Sequence, residues 1–410
     1  MRNWRCGWLI ALLLLWLCLP LACGGLDDNH STSPGSPDDD NTSADDDSSN
    51  PGGPDDDLYS PPDELGPYAV GVTTIYLTDP SRYELWGLRD RELPLEIWYP
   101  STGAGGRPNT MPDMVGPVPD WALGLLKLAF GKKFDELWGT VTSALRDADV
   151  EIHGAPYPVV FFSHGLTAIR FQNFTLCEYL ASHGFIVVAP DHYGNAIFTN
   201  LPDEGAVIIY DALTLVSGLW DRTNDIDFVY QELTRLDGDS RFPLHELLDL
   251  NEFAVSGHSY GGLTALQAGV DIDYLAAIAP LNPFWIGNDY QQFDKPFFLL
   301  QSAEDSIVGF TNAASLGAFN SAPSKHKVYI ELQNAGHYSA TDACLLLPPW
   351  FPSSTSGCGG TMIAPAEANR IVGAYLTAFF KVVLAGDDRY ADYLEENHFP
   401  DEMDLTTVWK

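Results

Sequence analysis

The residues best suited to chemistry in this chain are Gly257-His258-Ser259-Tyr260-Gly261-Gly262. They follow a short apolar run, Phe253-Ala254-Val255, and precede a helix-forming segment, Leu263 to Ala268. Strand, then G-x-S-x-G, then helix is the setting in which a serine becomes a nucleophile at the apex of a sharp turn. So tight a turn strains the apex residue, and its neighbours two places away must be small; here they are Gly257 and Gly261. Gly262 lets the helix approach the strand, and the helix N-terminus brings partial positive charge to a developing oxyanion. The chemistry such a serine supports is acyl transfer. It needs a base, a carboxylate to orient the base, and amide donors for the oxyanion.

The expected base is His337, in Asn334-Ala335-Gly336-His337-Tyr338, downstream of the serine as the order Ser, Asp, His demands. His326 precedes the last strand of the pattern and falls at its wrong end; His192 lies upstream and reads as a pocket lining or a partner of a loop carbonyl. The expected acid is Asp305 in Ser302-Ala303-Glu304-Asp305-Ser306-Ile307-Val308, preferred over the adjacent Glu304. Taken alone, Asp305 also fits the cap of the segment after it. One oxyanion donor is the amide of Tyr260. The other belongs to the loop after an earlier strand, at Leu166 in Ser163-His164-Gly165-Leu166, where His164 would face the ligand. Each such donor contributes about 3 kcal/mol to the transition state. H-E-x-x-H, paired C-x-x-C and phosphate-loop motifs are missing from the sequence, so it implies no metal and no cofactor.

The elements that must position these residues alternate along the chain. Strands are expected at Tyr68–Leu77, Leu93–Tyr99, Tyr157–Ser163, Gly184–Ala189, Phe253–Gly257, Leu275–Ala279, Pro296–Gln301 and His326–Leu332. Helices are expected at Phe171–Ser182, Thr223–Leu236, Asn312–Phe319 and Pro365–Leu384, with a mixed loop region from Thr199 to Trp220. This is an α/β pattern: a mostly parallel central sheet with helices on both faces, and ligand groups beyond the carboxyl ends of its strands. Ser259, His164, Asp305 and His337 all fall just after strands and so should meet at one edge. An insert at about 101–152 carries two helical patterns, Trp121-Leu125-Leu128 and Phe134-Leu137-Val141-Leu145, near Lys127, Lys132 and Lys133. It reads either as an amphipathic lid touching lipid or as a helical pair covering one end of the sheet.

Outside this body the composition changes. Residues 1–22 hold Arg2, Arg5 and an apolar run from Trp8 to Leu19, a secretory signal too short to span a membrane convincingly. Leu21-Ala22-Cys23-Gly24 resembles the lipobox of bacterial lipoproteins, although Pro20 stands where leucine is usual. That resemblance implies lipidation of Cys23, export, and residence in a bacterial cell envelope, at the outer membrane or cell surface. Residues 23–66 are rich in Asp, Ser, Pro, Gly and Asn, with three Asp triplets, and should form a disordered, self-repelling tether. The catalytic domain is then 67–410. The net charge of −35 leaves an acidic body, which phosphate backbones would repel, so nucleic acid is excluded as a partner. Cys344 and Cys358 should pair in an exported protein, and Cys177, on a helix, should be a buried thiol.

With these residues in place, the chain resembles the α/β-hydrolases of the group holding plasma-type platelet-activating-factor acetylhydrolases, dienelactone-hydrolase-like proteins and bacterial cutinases. The resemblance runs from about Gly66 to Leu384 and is carried by Tyr157 to Leu166, Leu180 to Val187 and Gly257 to Gly262. It implies an α/β-hydrolase fold, hydrolysis of small-molecule or lipid esters, and oxyanion amides at Leu166 and Tyr260. One departure stands out. The acetylhydrolase pattern puts its aspartate where this chain has Asn282, whereas the cutinase pattern matches Asp305 and is echoed by Ala279-Pro280-Leu281-Asn282-Pro283-Phe284-Trp285. That echo implies substrate contact at Phe284 or Trp285, either of which could instead be core. The resemblance leaves the ester open: lipid-like or short-acyl, or a polyester. A surface binding protein on a degenerate hydrolase fold is the alternative outside enzymes.

Overall fold

Strand register gathers the candidate site. The structure, a computed structural model, describes residues 58–83, 90–201, 205–207, 212–287, 290–349 and 356–409. Its strands are β1 Ala69–Tyr83, β2 Asp90–Ser101, β3 Arg107–Thr110, β4 Val141–Arg146, β5 Tyr157–Ser163, β6 Ile186–Pro190 and β7 Thr199–Leu201. They continue with β8 Gly205–Val207, β9 Leu248–His258, β10 Ala277–Leu281, β11 Phe297–Ser302, β12 His326–Leu332 and β13 Met403–Trp409. One 11-stranded sheet runs β13-β12-β11-β10-β9-β5-β6-β2-β1-β4-β3, and β7 pairs with β8 separately. From β6 to β12 the neighbours are parallel, while β2, β1 and β13 join antiparallel.

The helices are α1 Met111–Val115, α2 Asp120–Phe130, α3 Lys133–Trp138, α4 Phe174–Ser182, α5 Ala212–Asp237 and α6 Tyr260–Asp271. After these come α7 Asn312–Ser321, α8 Ala343–Leu346, α9 Pro365–Val383 and α10 Ala391–Glu395. The central strands are apolar on both sides because both faces are covered. Val160, Phe162, Ala254, Phe298 and Leu300 pack with α4 and α9. Their alternates Val159, Phe161, Val255, Phe297 and Leu299 pack with α5, α6 and α7. This is the α/β-hydrolase architecture.

Several expectations are corrected. Val141 and Leu145 lie on β4, not on a second insert helix. Gly139 ends α3, and the β-branched Thr140-Val141-Thr142 then favours a strand that pairs with β3 and β1. The region 199–220 is not mixed loop throughout: it holds the β7–β8 hairpin and the start of α5, which begins at Ala212. Gly218 weakens that helical signal in the sequence; in the fold it makes room for Asn195, whose Oδ1 would lie 2.5 Å from an added Cβ. The edge strand β13 was missed because its polar residues Asp404, Thr406 and Thr407 interrupt the apolar pattern.

The expected tether, 23–66, overlaps the described residues only at its end. Residues 59–66 lie against the folded body: Tyr59 packs on Tyr390 at 5.2 Å, the Gly66 amide donates to Ser182 Oγ, and Glu64 O lies 2.9 Å from His183 Nε2. Tyr59 and Pro62 supply anchoring contacts here, the Pro62 carbonyl accepting from the Tyr179 hydroxyl. The expected signal segment, Cys23 and the remainder of the expected tether lie outside the described residues. Within the insert, α2 exposes Trp121, Leu125 and Leu128, while Phe130, Phe134 and Leu137 join the core. Lys133 Nζ donates to the carbonyls of Cys344 and Leu347, tying α3 to the segment after His337.

Candidate active site

Ser163 on β5 is level with Gly257 on β9, His258 with Leu281 on β10, and Ser302 on β11 with Leu332 on β12. The segments leaving these strands therefore open on one edge. Ser259 sits there at φ 59° and ψ −114°, a conformation that non-glycine residues rarely adopt. The surrounding glycines permit it. A Cβ on Gly257 would lie 2.6 Å from the carbonyl oxygens of Gly261 and Ser163, and one on Gly261 would run into the Ser163 carbonyl.

His337 and Asp305 meet directly, with Nδ1 2.7 Å from Oδ2. The other carboxylate oxygen of Asp305 accepts the amides of Ile307 and Val308, so the residue both caps its loop and orients the imidazole. Burial would raise the Asp305 pKa, but the His337 ring and these hydrogen bonds outweigh it and hold it below the ordinary value. Glu304 turns the other way and accepts the Ala335 amide, steadying the loop that carries His337. Asn282 donates to Ser302 Oγ and the His337 carbonyl. His326 lies at the opposite end of β12, against Trp409. His337 is beside the elbow: its ring is 4.6 Å from that of His258, which immediately precedes Ser259. The Ser259 hydroxyl makes no hydrogen bond among the described residues. Serine–histidine bonds in catalytic sites are often long until substrate is bound.

The loop after β5 approaches the same serine, since a Cβ on Gly165 would be 3.6 Å from Ser259 Cβ. Gln172 joins this loop to the histidine loop. Its Oε1 accepts the Gly165 amide, so its Nε2 must donate to His258 Nδ1 at 2.8 Å. His258 is thereby fixed as the tautomer that donates from Nε2 to the His337 carbonyl. The Leu166 amide has no acceptor among the described residues, the condition an oxyanion donor requires. His164, expected to face a ligand, is buried and turned inward: Nδ1 bonds the Gly165 carbonyl and Nε2 accepts the His192 amide.

A second serine–histidine–aspartate chain lies beneath, unforeseen in the sequence. Ser163 Oγ is 2.9 Å from His192 Nε2, and His192 Nδ1 is 2.8 Å from Asp225 Oδ2. His192 thus neither lines a pocket nor serves a loop carbonyl. Arg91 grips Asp225 through two 2.7 Å bonds, and Arg82 reaches it at 2.8 Å. Ser163, His192 and Asp225 are all fully buried, whereas Ser259 is partly exposed. Burial and the nearby Arg222 charge push His192 down to about 3, so its imidazole is a poor base as well as an inaccessible one.

Buried neutral histidines make stability depend on pH. Burial lowers His192 and His258 to about 3 and His183 to about 4, and carries His164 well below its ordinary value. Unfolded, each ring binds a proton near pH 6.5; folded, it stays neutral until far lower pH. Unfolding therefore takes up protons in that window, and stability present at pH 7 is lost as pH falls below about 6.5, by about 1.4 kcal/mol per unit for each ring. The urea midpoint should fall steadily from pH 7 to pH 5. A constant midpoint would contradict neutral burial.

Beside the elbow lies a small apolar cluster of Tyr260, Leu263, Phe284 and Val308, edged by Leu166, Trp285 and Ile307. Phe284 is buried and its amide donates to the Ser259 carbonyl. Trp285 is half-buried and stacks edge-on against Tyr290. Phe310, not singled out in the sequence, stands exposed 6.1 Å from the Phe284 ring. Cys344 and Cys358 form a disulfide, and Cys177 is buried and free. That bridge closes a loop tied to the His337 segment, for the Tyr338 amide donates to the Ser356 carbonyl. Among the described residues no group of His, Cys, Asp or Glu is arranged to hold a metal ion.

Comparison with known proteins agrees with this geometry. A family model described as PET hydrolase-like matches residues 153–348, and one described as platelet-activating factor acetylhydrolase, isoform II, matches residues 57–204. Platelet-activating factor acetylhydrolase of Cavia porcellus is 25% identical over 327 residues, covering 68% of this chain and 67% of that one. Cutinase est2 of Thermobifida alba is 26% identical over 239 residues, covering 58% and 63%. The chain thus spans about two thirds of the length of these relatives. Among solved structures, the ferulic acid esterase from Streptomyces cinnamoneus superposes with a TM-score of 0.66 at 25% identity, covering 86% of this chain and 98% of the other. Sheet order, elbow and relatives together identify the chain as an α/β-hydrolase of the esterase type.

Proposed function

We propose that the chain hydrolyses carboxylic esters of lipid-like or short-acyl type, as a serine esterase. Ser259 attacks the acyl carbon while His337 takes its proton, and the carbonyl oxygen, now charged, is met by the amides of Leu166 and Tyr260. The tetrahedral species collapses to an acyl-enzyme and the alcohol leaves with the proton from His337; water, deprotonated by the same ring, then releases the acid. Asp305 holds the imidazole in the tautomer that leaves Nε2 open to accept. The observation that carries this reading is the Asp305–His337 pair beside a serine at positive φ, with the Gly165 loop against it. Phe284, Trp285 and the neighbouring apolar cluster would receive the acyl chain. His164 is left out of substrate contact because both its ring nitrogens are engaged internally.

A second reading is a polyester hydrolase, favoured by the PET hydrolase-like match, which spans Ser259, Asp305 and His337. The insert at about 101–152 speaks for smaller, lipid-like esters, because its exposed Trp121, Leu125 and Leu128 offer an apolar surface. The two readings separate on one panel given to the full chain: p-nitrophenyl esters of increasing length, a phospholipid with a short sn-2 chain, and a polyester film. Fast turnover of short esters and the phospholipid supports the first reading, and release from the film supports the second. Inertness throughout would revive the binding-protein alternative. Export and anchoring through a lipidated Cys23 complete the proposal. Cys23→Ser should move the protein from the membrane fraction to the soluble one, and unchanged partition would overturn the anchor.

A further inference from the structure

Arg222, on the inward face of α5, is fully buried, and each of its three nitrogens donates to neutral groups. Nη1 donates to the His164 carbonyl and, at 3.2 Å, to Ser163 Oγ; Nη2 donates to the Gly165 carbonyl at 3.3 Å; Nε donates to Asn195 Oδ1 at 3.1 Å. No carboxylate forms an ion pair with it among the described residues. Asp225, one turn further along α5, is already held by Arg91, Arg82 and His192. A buried guanidinium without an anionic partner is expensive to desolvate, so a fold that keeps one commonly uses its charge.

The acceptors of this cation point to the use. The Gly165 carbonyl belongs to the same peptide unit as the Leu166 amide. In a trans peptide the C=O and N–H point in opposite directions, so holding the carbonyl from behind aims the amide forward. Arg222 and His164 Nδ1 both hold that carbonyl. A donor on the carbonyl also polarises the peptide and makes its N–H a stronger donor. The guanidinium carbon lies 4.7 Å from the centre of the Tyr260 ring, so the same charge also rests on the side chain of the residue assigned the second amide. Burial lowers the Arg222 pKa to about 10, which leaves the group charged at neutral pH.

We infer that Arg222 is a positioning residue of the oxyanion hole: it fixes the peptide plane that presents the Leu166 amide, and its unpaired charge strengthens both amides against the transition-state oxyanion. This rests on the serine-esterase reading above. It separates Arg222 from residues that merely fill the core, because the charge matters only when the acyl oxygen becomes negative.

The test compares Arg222→Met and Arg222→Lys with the unaltered full chain and with Ser259→Ala. The readouts are kcat and KM on p-nitrophenyl butyrate and inhibition by an alkyl trifluoromethyl ketone, which forms a charged tetrahedral adduct with a reactive serine. Arg222→Met should lower kcat by about 100-fold, the loss typical of an oxyanion donor, with KM within about threefold. Ketone affinity should fall in parallel with kcat/KM. Arg222→Lys keeps charge but not the planar fork, and should recover about tenfold of the loss. If the methionine variant does not fold, the lysine variant decides alone: its kcat and ketone affinity should both fall about tenfold at unchanged melting temperature. Variants that keep kcat, or lose it without weakening the ketone, overturn the inference. With Ser259→Ala inactive, such a result leaves the esterase reading standing; undiminished hydrolysis by Ser259→Ala removes both.

Discussion

Ser259→Ala is expected to abolish fluorophosphonate labelling and to lower ester turnover by about 10⁶-fold, the scale on which serine hydrolases lose activity when the nucleophile is removed. The effect is large because the other parts act through the serine. The His337–Asp305 pair has no proton to take without it, and the amides at Leu166 and Tyr260 are left to act on an unattacked carbonyl. Stability should change little, since the Ser259 hydroxyl has no hydrogen bond among the described residues to lose. Nor does the backbone contribute a difference, for alanine at φ 59° is as strained as serine there. A melting temperature matching the parent, with turnover gone, is the outcome that assigns chemistry to this residue; retained turnover removes it from the mechanism.

Asp305→Asn should lower kcat by about 10⁴-fold, as loss of the orienting carboxylate does in triads of this kind. The 2.7 Å contact to His337 Nδ1 is the reason. A carboxylate can only accept, which keeps the proton on Nδ1 and leaves Nε2 to receive the serine proton. An asparagine amide can present a donor there and favour the opposite tautomer. The amides of Ile307 and Val308 would still find the side-chain oxygen, so the loop should hold. Asn282→Ala offers the contrast. Its amide supports only the His337 carbonyl and Ser302, and its loss should cost about tenfold or less, in line with neutral hydrogen bonds that touch no reacting atom. The reverse ranking in steady-state kinetics would transfer the orienting role away from Asp305.

The triad candidates were legible because each sits just past an apolar strand, and a strand ending in a Gly-flanked serine leaves few geometries open. The parallel order of β5, β9, β10, β11 and β12 then aligned those ends without further information. What lay beneath could not be read. Ser163, His192 and Asp225 belong to two strand ends and a helix, and nothing in their local sequence distinguishes their hydrogen-bonded chain from three unrelated polar residues. Arg222 and Gln172 were hidden for the same reason: their roles come from backbone carbonyls and amides on distant segments, which no side-chain pattern records. In the insert, the apolar spacing at Val141 and Leu145 fits a helix as well as β4. There the strand preference of Thr140-Val141-Thr142 and the partners β1 and β3 decided the matter.

Among the described residues, Ser163 and Ser259 each lie beside a histidine paired with an aspartate, and only Ser259 is exposed enough to meet a substrate. Mapping a fluorophosphonate adduct on the intact chain by peptide mass spectrometry separates them directly. The adduct should fall on the peptide holding Ser259 and be missing from the one holding Ser163; modification at Ser163, or at any other serine while Ser259 stays unmodified, would contradict the assignment of the reactive hydroxyl.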